Sequence, residues 1–282
     1  MKTIVAFFIL FFGVHKYANS QVFESYVHQG ELGISAGIGH YFGDMNPEIN
    51  FSSPKFSASI HYTKQFNNYV GLKLSGTYAF LAFADKYSFN NVQRLRNLSF
   101  NSDVWEFTAS GTFNFFKFNP LFPEYRFTPY VGLGVGIFSY DPYAFLGGEK
   151  YYLRNIGTEG QGNALYPDRK PYSTVAYCFP LTIGLKYAIN SRMNIFTEMK
   201  YRFTTTDYLD DVSTTYAPGA FPLDPTTGVP TAGFFLHDRS YEYGTSIGIE
   251  GRQRGNSLAN DAFATFQVGI SFNLQKYICP KF

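Results

Sequence analysis

From Val175 to Ile189 the chain alternates without a break. Val175, Tyr177, Phe179, Leu181, Ile183, Leu185, Tyr187 and Ile189 fall on one parity; Ala176, Cys178, Pro180, Thr182, Gly184, Lys186 and Ala188 fall on the other. A period of two predicts a strand, and one much longer than the usual five or six residues. A second run follows at once, with Met193, Ile195, Met199, Tyr201 and Phe203 on one face and Asn194, Glu198, Lys200, Arg202 and Thr204 on the other. The apolar residues are odd-numbered in both runs. A two-residue turn would therefore pair opposite faces, whereas a three-residue turn at Asn190, Ser191 and Arg192 pairs Ile189 with Met193 and Gly184 with Glu198. In that register Lys186 lies diagonal to Glu198, within reach of it.

The same alternation recurs along the chain. Strands are predicted at 31–40, 55–65, 69–80, 104–116, 125–140 and 262–274, which with the hairpin makes eight. Within the last long loop, Tyr241 to Ile249 also alternates, and a strand pair rising above the others is expected there. The second–third and sixth–seventh connections are very short, and the fourth–fifth is fairly short. The other four, around 41–54, 81–103, 141–171 and 207–261, are long. Apolar-out, polar-in strands with loops alternating in length are the pattern of an all-β, eight-stranded antiparallel transmembrane β-barrel with short periplasmic turns and long extracellular loops. A soluble lipocalin-like barrel also alternates, but its apolar face points inward. Here the second face is Gly, Ser, Thr, Ala, Lys and Glu, a lining for a narrow lumen rather than a soluble exterior.

Composition fits this reading. Aromatic residues are 20% of the chain, with 32 Phe and 23 Tyr, enough for girdles at both membrane interfaces. Residues 1–20 have a Lys2 start, an apolar run from Ile4 to Val14 and a small-residue site at Ala18-Asn19-Ser20, the form of a signal peptide. The run is only about half of the roughly 20 residues a spanning helix needs. Residues 21–282 are then the outer-membrane barrel domain. The net charge of +2 gives no reason to expect nucleic acid.

Candidate chemistry is sparse. Asp207, Asp210 and Asp211 cluster after the seventh strand, and His237-Asp238 lies in the same loop. Calcium ligation and a rim acid–base pair compete there with ordinary turn hydrogen bonding, which is preferred. No catalytic, cofactor-binding or metal residue is assigned and no cofactor is expected. Lys73, Glu106, Lys186, Glu198, Lys200 and Arg202 point into the lumen; a paired ionic plug is preferred over a conducting path, with His61 part of its packing. Cys178 sits near the outer rim and Cys279 at the opposite level, too far apart for a disulfide.

Several stretches carry a resemblance in order: Asn97-Leu-Ser-Phe100, Ser102-Asp-Val-Trp-Glu-Phe107, Arg126-Phe-Thr-Pro-Tyr-Val-Gly-Leu-Gly134, Gly157-Thr-Glu-Gly-Gln-Gly162, Thr206-Asp-Tyr-Leu-Asp-Asp-Val-Ser-Thr-Thr-Tyr216 and Arg254-Gly-Asn-Ser257. Together they resemble the PorG-like (DUF6089-type) outer-membrane β-barrels of Bacteroidetes. The resemblance departs at Asp261-Ala-Phe-Ala, where bulkier aromatics are expected, and at the tail from Gln275 to Phe282. It implies a non-enzymatic component of the type IX secretion system in the cell outer membrane. Its partners would be outer-membrane lipids and the periplasmic ring proteins, PorK- and PorN-like. The alternative is a stand-alone structural or ligand-binding barrel not linked to secretion.

Overall fold

The computed structural model describes residues 26–47, 50–223 and 226–277, with side chains from Gly30 to Leu274 within them. The expected signal segment at 1–20 lies outside the described residues, as does Cys279. Among the described residues ten strands form: β1 (Tyr26–Phe42), β2 (Lys55–Gln65), β3 (Val70–Ala84), β4 (Ser99–Asn114), β5 (Phe127–Ser139), β6 (Tyr143–Leu146), β7 (Glu149–Tyr152), β8 (Val175–Ala188), β9 (Met193–Thr204) and β10 (Ala262–Tyr277). Each of β1, β2, β3, β4, β5, β8, β9 and β10 pairs antiparallel with its neighbour, and β10 returns to β1, so eight strands close a barrel. No described helix is long and apolar enough to cross a membrane. The strands must do it, and closure leaves no unpaired edge in the hydrocarbon.

Side-chain parity separates two environments. On β8 the burial alternates along the whole strand, with Tyr177 63% exposed and Cys178 fully buried. Outward-facing Ile34, Phe56, Ile60, Leu133, Ile183, Phe266 and Val268 are all exposed apolar residues, and they come from strands around the whole wall. Such a belt costs far too much in water and is satisfied by lipid. A closed barrel with this belt is an outer-membrane architecture.

The hairpin register is as expected. Ile189 N–H donates to Met193 O at 2.9 Å, and Gly184 stands opposite Glu198. Asn190 fixes the turn: its side-chain oxygen accepts from Arg192 and Met193 N–H at 2.8 and 2.9 Å. Asn67 does the same for Tyr69 and Val70 at the β2–β3 turn, at 2.8 and 2.7 Å. These Asx turns lie at the periplasmic end with the β4–β5 connection.

The loop end departs from the expected plan in two ways. Tyr241 to Ile249 forms no strand; Ser240–Tyr243 is a 3-10 turn ended by Gly244 in the left-handed region at φ 93°. The outlying hairpin is instead β6–β7, which extends the wall through an Asn101–Tyr143 pairing with β4. Alternation over a few residues loses to Gly244, whose turn geometry stops an extended run. The strands also run past their expected ends, β3 to Ala84 and β4 from Ser99, because they continue pairing above the membrane.

Candidate functional site

The lumen is filled rather than hollow. Seven charged side chains, Glu31, Lys73, Glu106, Lys186, Glu198, Lys200 and Arg202, are buried inside it. Arg202 forms a fork with Glu106, Nη2 to Oε2 at 2.8 Å and Nε to Oε1 at 3.2 Å, and its Nη1 donates to Thr265 Oγ1 at 2.6 Å. Glu198 is held by Lys73, by Tyr130 Oη at 2.7 Å and by Lys200 at 3.6 Å. Lys186 donates to Glu31 at 2.9 Å, and Ser271 Oγ donates to the other oxygen at 2.9 Å. His61 lies 3.9 Å from Glu31 and packs edge-on to Phe196. This is the paired ionic plug the sequence suggested.

One partner is different. Lys186 reaches Glu31, not its diagonal neighbour Glu198, which is taken by Lys73 from across the lumen. In an eight-stranded barrel the bore is narrow enough that long side chains span it, so cross-lumen pairs displace neighbours on one wall. Glu31 and Phe196 went unassigned in the sequence although their parity places both inside. Tyr130 covers Gly184, where any Cβ would run into the phenol ring. At the periplasmic end the β4–β5 connection folds back and places Phe118, 5% exposed, 5.3 Å from the Lys186 ammonium. The aromatic face both seals the bore and stabilises the cation.

The outer end is closed by a loop cap, and three of the motifs that carried the resemblance, at 157–162, 206–216 and 254–257, assemble it. Glu159 is its hub. It accepts from Ser213 N–H at 2.9 Å, Thr214 N–H at 3.0 Å, Thr214 Oγ1 at 2.6 Å and Arg254 Nη1 at 3.1 Å. Arg254 also donates to Asp211 O at 2.5 Å. Arg96 makes a bidentate pair with Asp85, at 2.7 and 2.8 Å, and donates to Arg254 O at 2.5 Å. The carboxyl of Asp211, at φ 67°, accepts from Thr158 and from Tyr172 Oη at 2.7 Å. One buried net thus ties three separate loops together. Glu159 and Arg254 stood in quoted motifs without a role, since loop residues carry no periodicity to place them.

The acidic cluster does not converge as a metal site would require. Asp207 accepts from Ser213 Oγ at 2.6 Å, Asp210 from Tyr41 Oη at 2.5 Å and Val212 N–H at 2.9 Å, and Asp211 from the residues above. Among the described residues no three acidic, His or Cys side chains are grouped to hold a metal ion. His237 stacks on Phe221 at 4.7 Å, while Asp238 turns away to Ser240 and Gly248 N–H, so they form no acid–base pair. Cys178 is a free buried thiol beside Glu106.

Burial raises the acids that follow β9. It raises Asp207 to about 7 and Asp211 to about 6, the latter against the opposing pull of Arg254. Asp210 and Asp261 are pushed well above the carboxylate range by burial and by neighbouring acids. Tyr41 Oη lies 2.5 Å from Asp210 and 3.0 Å from Asp261. A phenol has one proton to offer two buried carboxyls, an arrangement that favours a proton on one of them, donated to the phenol oxygen.

Comparison with known proteins adds a family. The family described as a domain of unknown function, DUF6089, matches residues 4–217. No curated protein matches. Among solved structures the chain is similar to Neisserial surface protein A, at 11% identity and a TM-score of 0.43, covering 89% of this chain and 100% of that one. It is similar to OprG from Pseudomonas aeruginosa, at 10% identity and 0.39, covering 89% and 98%. It is also similar to Ail of Yersinia pestis, at 12% identity and 0.39, covering 87% and 99%. At such values the likeness carries no argument, and the fold rests on the chain's own pairing and belt.

Proposed function

This chain belongs to the DUF6089 family, and with that premise we propose that it is a non-enzymatic structural barrel that works through its two ends and its lipid-facing wall, not through its lumen. The observation that carries this reading is the double closure: a paired ionic plug fills the bore, Phe118 seals one end and the Glu159–Arg254 net seals the other. Among the described residues the bore is occupied by paired side chains around one small void beside Glu31, His61 and Tyr130. Outer-membrane lipids are its constant partners along the belt.

The finer reading follows from the resemblance of the motifs to PorG-like barrels: the chain anchors a periplasmic ring, PorK- and PorN-like, of the type IX secretion system. The periplasmic turns suit a docking role. Phe66, Phe116 and Phe122 are exposed there, and Lys117, stacked on Tyr125 at 4.4 Å, adds a cation. A cross-linked pull-down of the tagged barrel from its own outer membrane, in mild detergent and read by mass spectrometry, tests it. Recovery of a periplasmic lipoprotein and its ring partner in comparable amounts supports the anchor; the barrel alone, with the ring intact elsewhere, rejects it.

A second reading, a stand-alone barrel that binds a surface ligand, is favoured by one feature. A cavity of about 400 Å³ opens on the outer face between Asp44, Val92, Tyr216, Ile247, Arg252 and Asn256. That size is within the range of small-molecule sites. A barrel recovered without partners directs attention to it.

A further inference from the structure

Near the outer rim the lipid-facing belt carries a small residue, as it also does at Gly76 and Gly111 elsewhere on the wall. Ser139, the last residue of β5, faces outward, opposite Trp105 of β4 on one side and Val175 of β8 on the other. Both neighbours are large, and both project well clear of the wall, Trp105 being 64% exposed. The step below is also large, Phe107 opposite Ile137. A serine among these four leaves a recess of about 350 Å³ with Glu106 and Phe138 at its floor. The side chains of those two residues are buried in the lumen, so the recess reaches down to the strand backbones.

Its chemistry is mostly apolar, with the Ser139 hydroxyl and the Trp105 indole N–H the side-chain polar groups on its walls. Its position fixes what can reach it. The recess is continuous with the belt of Ile137, Val135 and Leu133 below, which faces hydrocarbon, and Trp105 marks the headgroup level. Just above, β5 ends and Tyr140, inward by alternation, bonds Thr206 at 2.7 Å, while β4 and the β6–β7 hairpin carry the wall on beyond the membrane surface that Trp105 marks. A flexible hydrocarbon chain hanging from that surface fits. A folded protein segment would bring a row of backbone polar groups into a slot that offers few partners.

We propose that this recess is a binding groove for one acyl chain of a lipid in the outward leaflet, held between Trp105 and Val175 over Ser139. Filling it buries apolar surface on both sides, so this lipid exchanges more slowly than its neighbours on the flat belt. The inference rests on the membrane reading of the belt and deepens it by naming one site.

The experiment uses the full chain and two variants. Ser139→Phe fills the groove; Ile34→Phe, on β1 at the opposite wall, adds the same bulk elsewhere. Trp105 is the only tryptophan in the chain, so its emission reports on this stretch of the wall and no other. Each protein is reconstituted in phosphatidylcholine vesicles brominated on the acyl chains, and separately released in mild detergent for native mass spectrometry. Wild type and I34F should show strong quenching of Trp105 and one retained lipid. In S139F quenching should be roughly halved and the retained lipid lost, with heat-modifiable migration confirming that all three barrels are folded. Equal quenching and equal retention in wild type and S139F would overturn the groove while leaving the belt intact. Absence of quenching in all three proteins would overturn the membrane reading and the groove with it.

Discussion

At the scale of single residues, the cap is where charge is most costly to disturb. Arg254 is 3% exposed and satisfies Glu159 and Asp211 at once. Replacing it with methionine leaves two buried carboxyls without their cation, a loss of about 3–5 kcal/mol for a broken buried pair. Arg254→Met should therefore open the outer loops to protease while the barrel stays folded, read as cleavage within 207–261 of a chain that still shows heat-modifiable migration. Unchanged resistance would mean that Glu159 does not hold the cap. The Tyr41 site gives a pH signature. Asp207, Asp210, Asp211 and Asp261 all have folded values raised above their unfolded ones. Their contribution is full below the unfolded carboxylate value, near 4, and is lost as pH rises through the folded values, about 6 for Asp211 and about 7 for Asp207. Amide-exchange protection of 207–216, corrected for intrinsic rate, should be higher at pH 5 than at pH 8. In Asp261→Asn, whose amide always carries a hydrogen for the phenol oxygen, the difference should shrink. Equal protection at both pH values in wild type would refute the shared proton.

At the scale of elements, register decides which side chains meet lipid. Deleting Ser191 shortens the Asn190 turn by one residue and sets β9 one step out of phase with β8. Either β9 turns Glu198, Lys200 and Arg202 toward hydrocarbon, or every β8–β9 pair is lost. The deletion should abolish heat-modifiable migration, whereas Ser191→Ala should leave it unchanged; a folded deletion variant would show that the turn does not set the register. This hairpin was legible in the sequence because one face is buried and the other is bathed in lipid, so parity has a single physical meaning. Lumen membership was legible for the same reason. The pairing inside was not: Lys186 with Glu31 and Lys73 with Glu198 depend on how far a side chain reaches across the bore, which periodicity along one strand does not contain. The cap was least legible. Its motifs could be recognised, but the bonds of Glu159 join residues far apart in the chain and obey no local rule. Tyr241 to Ile249 failed for the opposite reason, since a weak local pattern there was overruled by Gly244.

At the scale of the whole molecule, an ionic plug closed at both ends makes a wall without a passage. The reconstituted protein should show no unitary conductance in planar bilayers under moderate voltage. Steady channel events from the unmodified chain would overturn the sealed reading. A further consequence lies in the seam. β1 and β10 pair over nearly their full lengths, from Tyr26 opposite Tyr277 to Phe42 opposite Ala262. The two strands that complete the ring are thus the first and last of the barrel to be synthesised. This closure cannot form without β10, and until β10 arrives the growing sheet has two bare edges that seek other strands. Assembly is therefore all or nothing, and a cell making this protein must shield the incomplete sheet from its neighbours for as long as translation and export keep the two ends apart.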